Sequence, residues 1–201
     1  VLASVLRSDG AGYDLLGIPT YGNMDIRSQE GLKDPKLHKM FMAGSEVFKF
    51  ATRVIGESIK QALKEAGITL KDVKLIIPHQ ANERIIQAAA RSLNLSDDLF
   101  ISNLAHYGNT SAASIPIALY EAVEQRRINV GDYIVFVGFG GGLTWAAEVI
   151  QWTVPQPGDQ EINRRQERKR RAGYAWVNIR VMLRQWQRRI GRIFSFFSHK
   201  E

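Results

Sequence analysis

Cysteine is absent from this chain of 201 residues. Its absence excludes disulfide bonds and every metal site built on thiolate ligands, and it is compatible with the cytosol. The chain also lacks any run of 18 apolar residues that would predict a membrane-spanning helix, and no secretory signal pattern stands at its start. We therefore expect a cytoplasmic protein, long enough for one domain plus an appendage.

Charge is unevenly placed along the chain. Residues 1–150 carry 15 Lys and Arg against 16 Asp and Glu, whereas residues 151–201 carry 12 against 4. The formal net charge of +7 therefore comes from the C-terminal quarter. The basic character indicates nothing about the chemistry of the first 150 residues, and we expect no nucleic-acid partner.

The stretch KLIIPHQANER, residues 74–84, predicts a buried strand followed by a helix. Pro78 should end the strand, because it cannot donate a ladder hydrogen bond. Asn82 is a good N-cap for a helix whose apolar residues recur at helical spacing as far as Leu93. His79 is thus expected at the carboxyl end of a strand, where open α/β sheets place their ligand sites.

The other elements follow from apolar periodicity and from turn residues. The predicted elements are a helix over 43–66 that ends at Gly67, a short strand over 100–103, a helix capped by Ser111 or Ser114 that runs to about residue 127, and strands over 133–137 and 143–152. Residues 19–41 show no period and predict a surface loop. The alternation of strands and helices is typical of a layered α/β fold.

The glycine-rich segment GFGGG, residues 138–142, allows two interpretations. It is not a dinucleotide fingerprint, because a strand rather than a helix follows the glycines. As a structural feature it is a glycine hairpin. As a functional feature, its side-chain-free backbone lets an N–H approach a substrate oxygen, as an oxyanion hole requires.

Three motifs in this order carry a family resemblance: PHQAN at 78–82, HYGNTSAA at 106–113 and FGGG at 139–142. Together they resemble the C-terminal half of β-ketoacyl-[acyl-carrier-protein] synthase III, a thiolase-fold condensing enzyme of fatty-acid synthesis. The resemblance covers roughly residues 1–152. It implies an α/β chain that forms the C-terminal half of a thiolase-like layered α-β-α fold.

The chain departs from this family in two respects. The family's active-site cysteine lies in the N-terminal half, and this chain has no cysteine and begins at Val1 in what resembles the middle of the fold. The basic extension after Trp152 also has no counterpart. The resemblance implies that a missing N-terminal half is a partner and that the complete enzyme is a homodimer. We expect the chain alone to be inactive.

The resemblance also implies the reaction and its donors. An acyl-CoA, above all acetyl-CoA, condenses with malonyl-acyl-carrier protein and loses carbon dioxide, without a metal or another cofactor. The enolate that decarboxylation leaves needs fixed hydrogen-bond donors at its oxygen. His79 and Asn109 are assigned as these donors, because a neutral imidazole and an amide each keep an N–H. Gly141 is assigned as the backbone donor of the oxyanion hole, and His106 is given a packing or loop role.

The substrate carrier of this family is an acidic protein, so a basic face would orient it. Arg84 and Arg91 fall on one face of the predicted helix and are assigned to carrier docking, the alternative being arginines that only solubilise the helix. The resemblance adds Lys49, Gln80, Ala81, Asn82 and Glu83 to the carrier-binding set. It assigns the CoA or carrier pantetheine to Gly44, Ser45, Phe48 and Asn82.

The C-terminal extension divides into a charged linker over 153–173 and a basic amphipathic helix over 174–198. Trp and Phe on a basic helix suit the surface of an anionic membrane, which would make the protein peripheral to a membrane. The same spacing suits a two-helix contact, and an extension without an evolved function is a third interpretation.

Three functions remain open from the sequence. The first is a synthase III acyltransferase, and the second is a related thiolase-fold enzyme with another acyl group or acceptor. The third is a non-catalytic fragment or binding module that contacts only a carrier protein or a membrane.

Overall fold

The computed structural model describes residues 1–19 and 37–155, together with residue 182. Apart from residue 182, the predicted C-terminal helix lies outside the described residues. So do most of the predicted linker and most of the predicted loop over 19–41. Among the helices that the structure describes, none has the length and apolar character needed to cross a membrane.

The fold is built on a four-stranded sheet. The strands are β1 (Ala3–Ser8), β2 (Leu16–Gly17), β3 (Phe41–Met42), β4 (Val73–Pro78), β5 (Tyr133–Gly140) and β6 (Thr144–Gln151). The sheet has the order β1-β6-β5-β4, and β2 and β3 form a separate two-stranded ribbon. Only the β4–β5 pair of the sheet is parallel. Five of the six residues of β4 are buried, as expected for a strand with both faces covered.

Helices cover both faces of this sheet. They are α1 (Gly44–Ala66), α2 (Glu83–Leu93), α3 (Leu104–Tyr107) and α4 (Ser114–Glu124). The apolar faces of α1 and α2 share one core with Ile76, Val135 and Val149 of the sheet. The opposite face, with Leu75 and Ile134, packs against α4. The described part of the chain is therefore layered α-β-α, as predicted.

The helix ends follow the local sequence signals. Gly67 caps α1 in the left-handed conformation (φ 71°), and its N–H donates to the carbonyls of Leu63 and Lys64. At the start of α2, the Asn82 side chain accepts from the N–H of Arg84 (2.9 Å), which confirms the predicted N-cap.

Two predicted elements differ in the structure. The strand predicted over 100–103 is wrong: Phe100 makes a single parallel bridge to Ile76, and α3 begins at Leu104. The helix predicted to reach about residue 127 ends at Glu124, and neither predicted serine caps it by a side-chain hydrogen bond. The hydroxyl of Ser114 is directed instead to a distant histidine. Tertiary contacts override local propensity at both positions.

Candidate active site

His79 follows directly after β4 and is held to β5 at two points. Its backbone N–H donates to the carbonyl of Val137 (2.7 Å), so main-chain pairing continues one residue past Pro78, where the sequence predicted that it would stop. Its ring meets that of Phe139 edge to face, with centroids 5.4 Å apart and planes at 71°. The position and the tilt of the imidazole are therefore both set by β5.

Ser114, the first residue of α4, binds the inner nitrogen of that ring. Its Oγ lies 2.7 Å from Nδ1 of His79 and accepts the backbone N–H of Gln80 at 3.3 Å. The serine is buried. These contacts join the end of β4 to the start of α4 and leave Nε2 of His79 without a partner among the described residues.

Burial also fixes the charge of His79. Desolvation lowers the pKa of His79 below its ordinary value of 6.5, because the imidazolium form loses more hydration than the neutral form. The neutral imidazole therefore predominates at pH 7, and this form keeps one N–H donor.

Asn109 is oriented by the turn that precedes α4. Its side-chain oxygen accepts the backbone N–H of Ser111 (2.9 Å). Gly108 and Ser111 both have positive φ, 63° and 53°, which folds the chain back on itself at this point. Within the described residues, the Nδ2 amide of Asn109 donates to no other group. The turn thus uses the amide oxygen and leaves the donor for a ligand.

His79 and Asn109 line the same cavity, whose volume is about 670 Å³. Its wall is largely apolar, with Met42, Val47, Phe48, Ile85, Ile115 and Phe139 among the lining residues. Hydrogen bonds made in such surroundings are stronger than in water. The arrangement is suited to holding a polar oxygen at the end of an apolar chain.

Gly141 also lines this cavity, in the turn between β5 and β6. A Cβ at this position would stand 2.9 Å from the carbonyl oxygen of Leu16, closer than real side chains approach. The glycine is therefore required by the packing of the β2 segment against the turn. This structural reason exists whether or not its N–H binds a ligand.

The sequence and the fold were compared with known proteins. Residues 63–152 match the family described as 3-Oxoacyl-[acyl-carrier-protein (ACP)] synthase III C terminal. The Beta-ketoacyl-[acyl-carrier-protein] synthase III of Desulfitobacterium hafniense (strain DSM 10664 / DCB-2) is 51% identical over 148 residues, which are 74% of this chain and 44% of that protein. The protein of the same name from Clostridioides difficile (strain 630) is 46% identical over 154 residues, 77% of this chain and 47% of the relative. A synthase III crystal structure from Thermus thermophilus is similar with a TM-score of 0.67 at 43% identity, over 75% of this chain and 46% of that one.

This part of the chain, residues 63–152, matches the synthase III family model. It corresponds to the C-terminal part of that family, and the chain spans less than half the length of the curated relatives it matches. The fold class predicted from the sequence is confirmed, because the layered sheet and helices are those of solved synthase III structures.

Gln80 is placed differently from its sequence assignment to carrier binding. It is completely buried. Its Nε2 donates to the carbonyls of Pro78 (2.8 Å) and Ile101 (3.0 Å), and its Oε1 accepts the N–H of Asn103 (3.0 Å). The assignment is wrong for this residue, because a side chain with all its polar atoms engaged inside the fold cannot contact a docking protein.

The remaining residues assigned to carrier binding lie nearer the surface. Arg84 and Arg91 are both exposed on α2, and the Arg84 guanidinium carbon stands 5.5 Å from the centroid of the Phe48 ring. Lys49 is also exposed and pairs with Glu46 (3.0 Å). Glu83 accepts a hydrogen bond from the hydroxyl of Ser102.

The residues assigned to pantetheine fall into two groups. Gly44, Phe48 and Asn82 line the cavity, and so does Ala81 from the carrier-binding set. Ser45 is exposed at the start of α1 and does not line it. His106 is exposed and lies beside Tyr107.

Two residues of the site were not identified from the sequence. Ser114 was predicted only as a helix cap, and Phe139 only as part of a glycine-rich turn. A serine that caps its own helix and a serine that binds a ring 35 residues away give the same local signal. Only the register of β5 against β4 brings Phe139 beside His79.

Proposed function

We propose that this chain supplies the decarboxylating half of a synthase III active site, in which an acyl-CoA condenses with malonyl-acyl-carrier protein. The observation that carries the proposal is the placement of His79 and Asn109. They are 30 residues apart in sequence, yet both line one largely apolar cavity, and the chain itself binds one polar atom of each side chain. The remaining polar atom of each side chain, Nε2 of His79 and Nδ2 of Asn109, is left for a substrate oxygen.

The proposed reaction begins with the malonyl thioester in this cavity. The bond between its α-carbon and the carboxylate breaks, carbon dioxide leaves, and the electron pair passes into an enolate with its charge on the thioester oxygen. Hydrogen bonds from His79 and Asn109 stabilise that oxygen, and neither residue needs to remove a proton from carbon. The enolate carbon then attacks the carbonyl of an acyl thioester held on a cysteine, which gives a tetrahedral oxyanion. This oxyanion collapses to the 3-oxoacyl thioester as the cysteine thiolate leaves.

The acyl-bearing cysteine belongs to the proposed partner, a cysteine-bearing N-terminal half of the same family. Gly141 supplies a backbone N–H to the oxyanion of this second step. Its position on the cavity wall and the absence of a side chain support that role. No step of the proposed reaction requires a metal or a resident cofactor.

The proposed docking surface for the acidic carrier consists of Arg84, Arg91 and Lys49. Arg84 is linked to the cavity through Phe48, because its guanidinium covers the ring of Phe48, which itself lines the cavity. A carrier held by these cations would present its pantetheine arm to the opening, along Gly44, Phe48 and Asn82. The exposed pair between Lys49 and Glu46 is weak and can open when a carrier carboxylate arrives.

The proposal extends to the assembly of the protein. Joined to its cysteine-bearing half, the chain forms a homodimeric cytoplasmic enzyme. The basic segment 174–198 adds contact with an anionic membrane surface, for which its composition is the support.

The deciding experiment compares the chain alone with the assembled enzyme, meaning this chain co-expressed with, or fused to, a cysteine-bearing N-terminal half of the family. Acetyl-CoA and malonyl-carrier protein are supplied, and the 3-oxoacyl product is measured. We expect product from the assembled enzyme and none from the chain alone, which has no thiolate to hold the acyl group. Condensation by residues 1–201 alone would show that the nucleophile has been misplaced.

A further inference from the structure

The Oγ of Ser114 has two neighbours that can exchange hydrogen bonds with it within the described residues. One is the backbone N–H of Gln80 at 3.3 Å, and the other is Nδ1 of His79 at 2.7 Å. The serine is 1% exposed. A hydroxyl in this position has no solvent to complete its hydrogen bonding, so its two neighbours decide where its hydrogen lies.

The backbone N–H of Gln80 can only donate, so Oγ must accept that bond. The hydrogen of the Ser114 hydroxyl then needs an acceptor, and among the described groups only Nδ1 of His79 can serve. If Nδ1 carried its own hydrogen, Oγ would receive two donors and its own hydrogen would be buried without a partner. If Nδ1 is bare, every donor and acceptor in the group is matched.

We propose that Ser114 is a positioning residue that holds His79 in the tautomer whose hydrogen sits on Nε2. Nε2 is the nitrogen left for the cavity, so this tautomer directs an N–H donor toward the substrate oxygen. The opposite tautomer would direct a lone pair at the enolate oxygen and repel it. The inference rests on the proposed function in one respect, namely that His79 acts there as a donor.

The test uses the assembled enzyme with ¹⁵N-histidine in this chain, Ser114→Ala as the variant and Ser58→Ala as the matched control. Ser58 is also a buried serine, but its hydroxyl donates to the carbonyl of Val54 (2.6 Å) on α1, away from the site. Long-range ¹H–¹⁵N spectra report the tautomer directly, and His79→Gln identifies the His79 signals. We expect the Nε2–H form in the parent and in Ser58→Ala, and a shift toward the Nδ1–H form in Ser114→Ala.

Malonyl decarboxylation gives a second measurement on the same proteins. Ser114→Ala should lower kcat by about tenfold to a hundredfold, less than the loss of a whole oxyanion donor, with little change in KM. Ser58→Ala should keep the parent rate. An unchanged tautomer and an unchanged kcat in Ser114→Ala would overturn the proposal, as would an Nδ1–H form in the parent.

Ser114→Thr tests the same point without removing the hydroxyl. It should keep the Nε2–H form and most of the decarboxylation rate, and loss of that tautomer in folded Ser114→Thr would contradict the proposal. The tautomer is read from spectra rather than from activity, so this result is independent of the proposed function. If the spectra agree but His79→Ala decarboxylates normally, the proposed function fails while the role of Ser114 in setting the tautomer stands.

Discussion

The guanidinium of Arg84 lies over the ring of Phe48, with its central carbon 5.5 Å from the ring centroid. One residue is an exposed cation on α2, and the other forms part of the cavity wall on α1. The contact joins the proposed docking surface to the lining of the cavity. A change in Arg84 should therefore affect how a carrier protein presents its substrate more than how the cavity processes it.

Arg84→Glu in the assembled enzyme should raise KM for malonyl-carrier protein by about tenfold, because an acidic carrier would meet a repelling charge. KM for malonyl-CoA should change far less, and the effect should shrink as salt screens the charges. Lys60→Glu is the control, since Lys60 is an exposed cation on α1 and does not line the cavity. An equal loss with both substrates would place the defect in the cavity instead.

His79→Ala and Asn109→Ala should each lower malonyl decarboxylation by about 10²- to 10³-fold, the usual loss for one oxyanion donor. Transfer of the acyl group to cysteine should suffer less, because it does not use these donors. Decarboxylation is followed as carbon dioxide release. Rates near that of the parent in both variants would reject the assignment.

Asn109→Asp gives a sharper version of this test. A carboxylate can still accept the N–H of Ser111, so the turn is preserved, but it has no amide to donate. Its negative charge would also oppose the enolate. We therefore expect a larger loss of decarboxylation than in Asn109→Ala, with an unchanged unfolding temperature.

The lowered pKa of His79 predicts a pH dependence of stability. The unfolded chain binds a proton at this residue below about pH 6.5, whereas the folded chain resists protonation because the ring is buried. The contribution of His79 to the free energy of unfolding is therefore intact above about pH 6.5, and it is lost as the pH falls through the lowered folded-state pKa. Chemical unfolding at pH 7.5 and pH 5.5 should show a smaller loss of unfolding free energy in His79→Gln than in the parent. Equal losses in the two proteins would contradict the prediction.

Gln80→Leu should lower the free energy of unfolding by about 2–4 kcal/mol, because it leaves the N–H of Asn103 and the carbonyls of Pro78 and Ile101 without their buried partner. The matched control is Gln87→Leu, a half-buried position on α2 where a change near zero is expected. Urea unfolding measures both. A loss no larger than that of the control would show that this network contributes little to stability.

The basic segment 174–198 predicts membrane binding that can be tested on a peptide. Its helicity, followed by circular dichroism, should rise on anionic vesicles and much less on zwitterionic ones, because the arginines of the segment respond to the lipid charge. Binding that ignores lipid charge, or no binding, would remove the membrane interpretation. Sedimentation of the peptide would then test self-association.

Features that depend on neighbours a few residues apart could be predicted from the amino-acid sequence alone. The apolar period and the glycine at its end were enough to place α1, whose observed limits differ from the prediction by one residue. Asn82 caps α2 through a bond to a residue two positions on. His79 was likewise expected at a strand end from the local pattern, and it lines the cavity, whereas Asn109, which lines it too, was identified through the family resemblance. Local hydrogen bonds and side-chain spacing decide these features, so they can be predicted from sequence.

Hydrogen bonds between polar groups far apart in sequence became visible only in the folded structure. Gln80 stands in a motif that indicated a surface contact, but the segment from Ile101 to Asn103 closes over it and buries it completely. That segment was predicted as a strand, yet it pairs with β4 at a single point and then turns into α3. Ser114 reaches His79 only because α4 packs on the sheet face beside the end of β4. Such contacts depend on how whole helices and strands pack against one another, and this packing cannot be inferred from any short segment of the sequence.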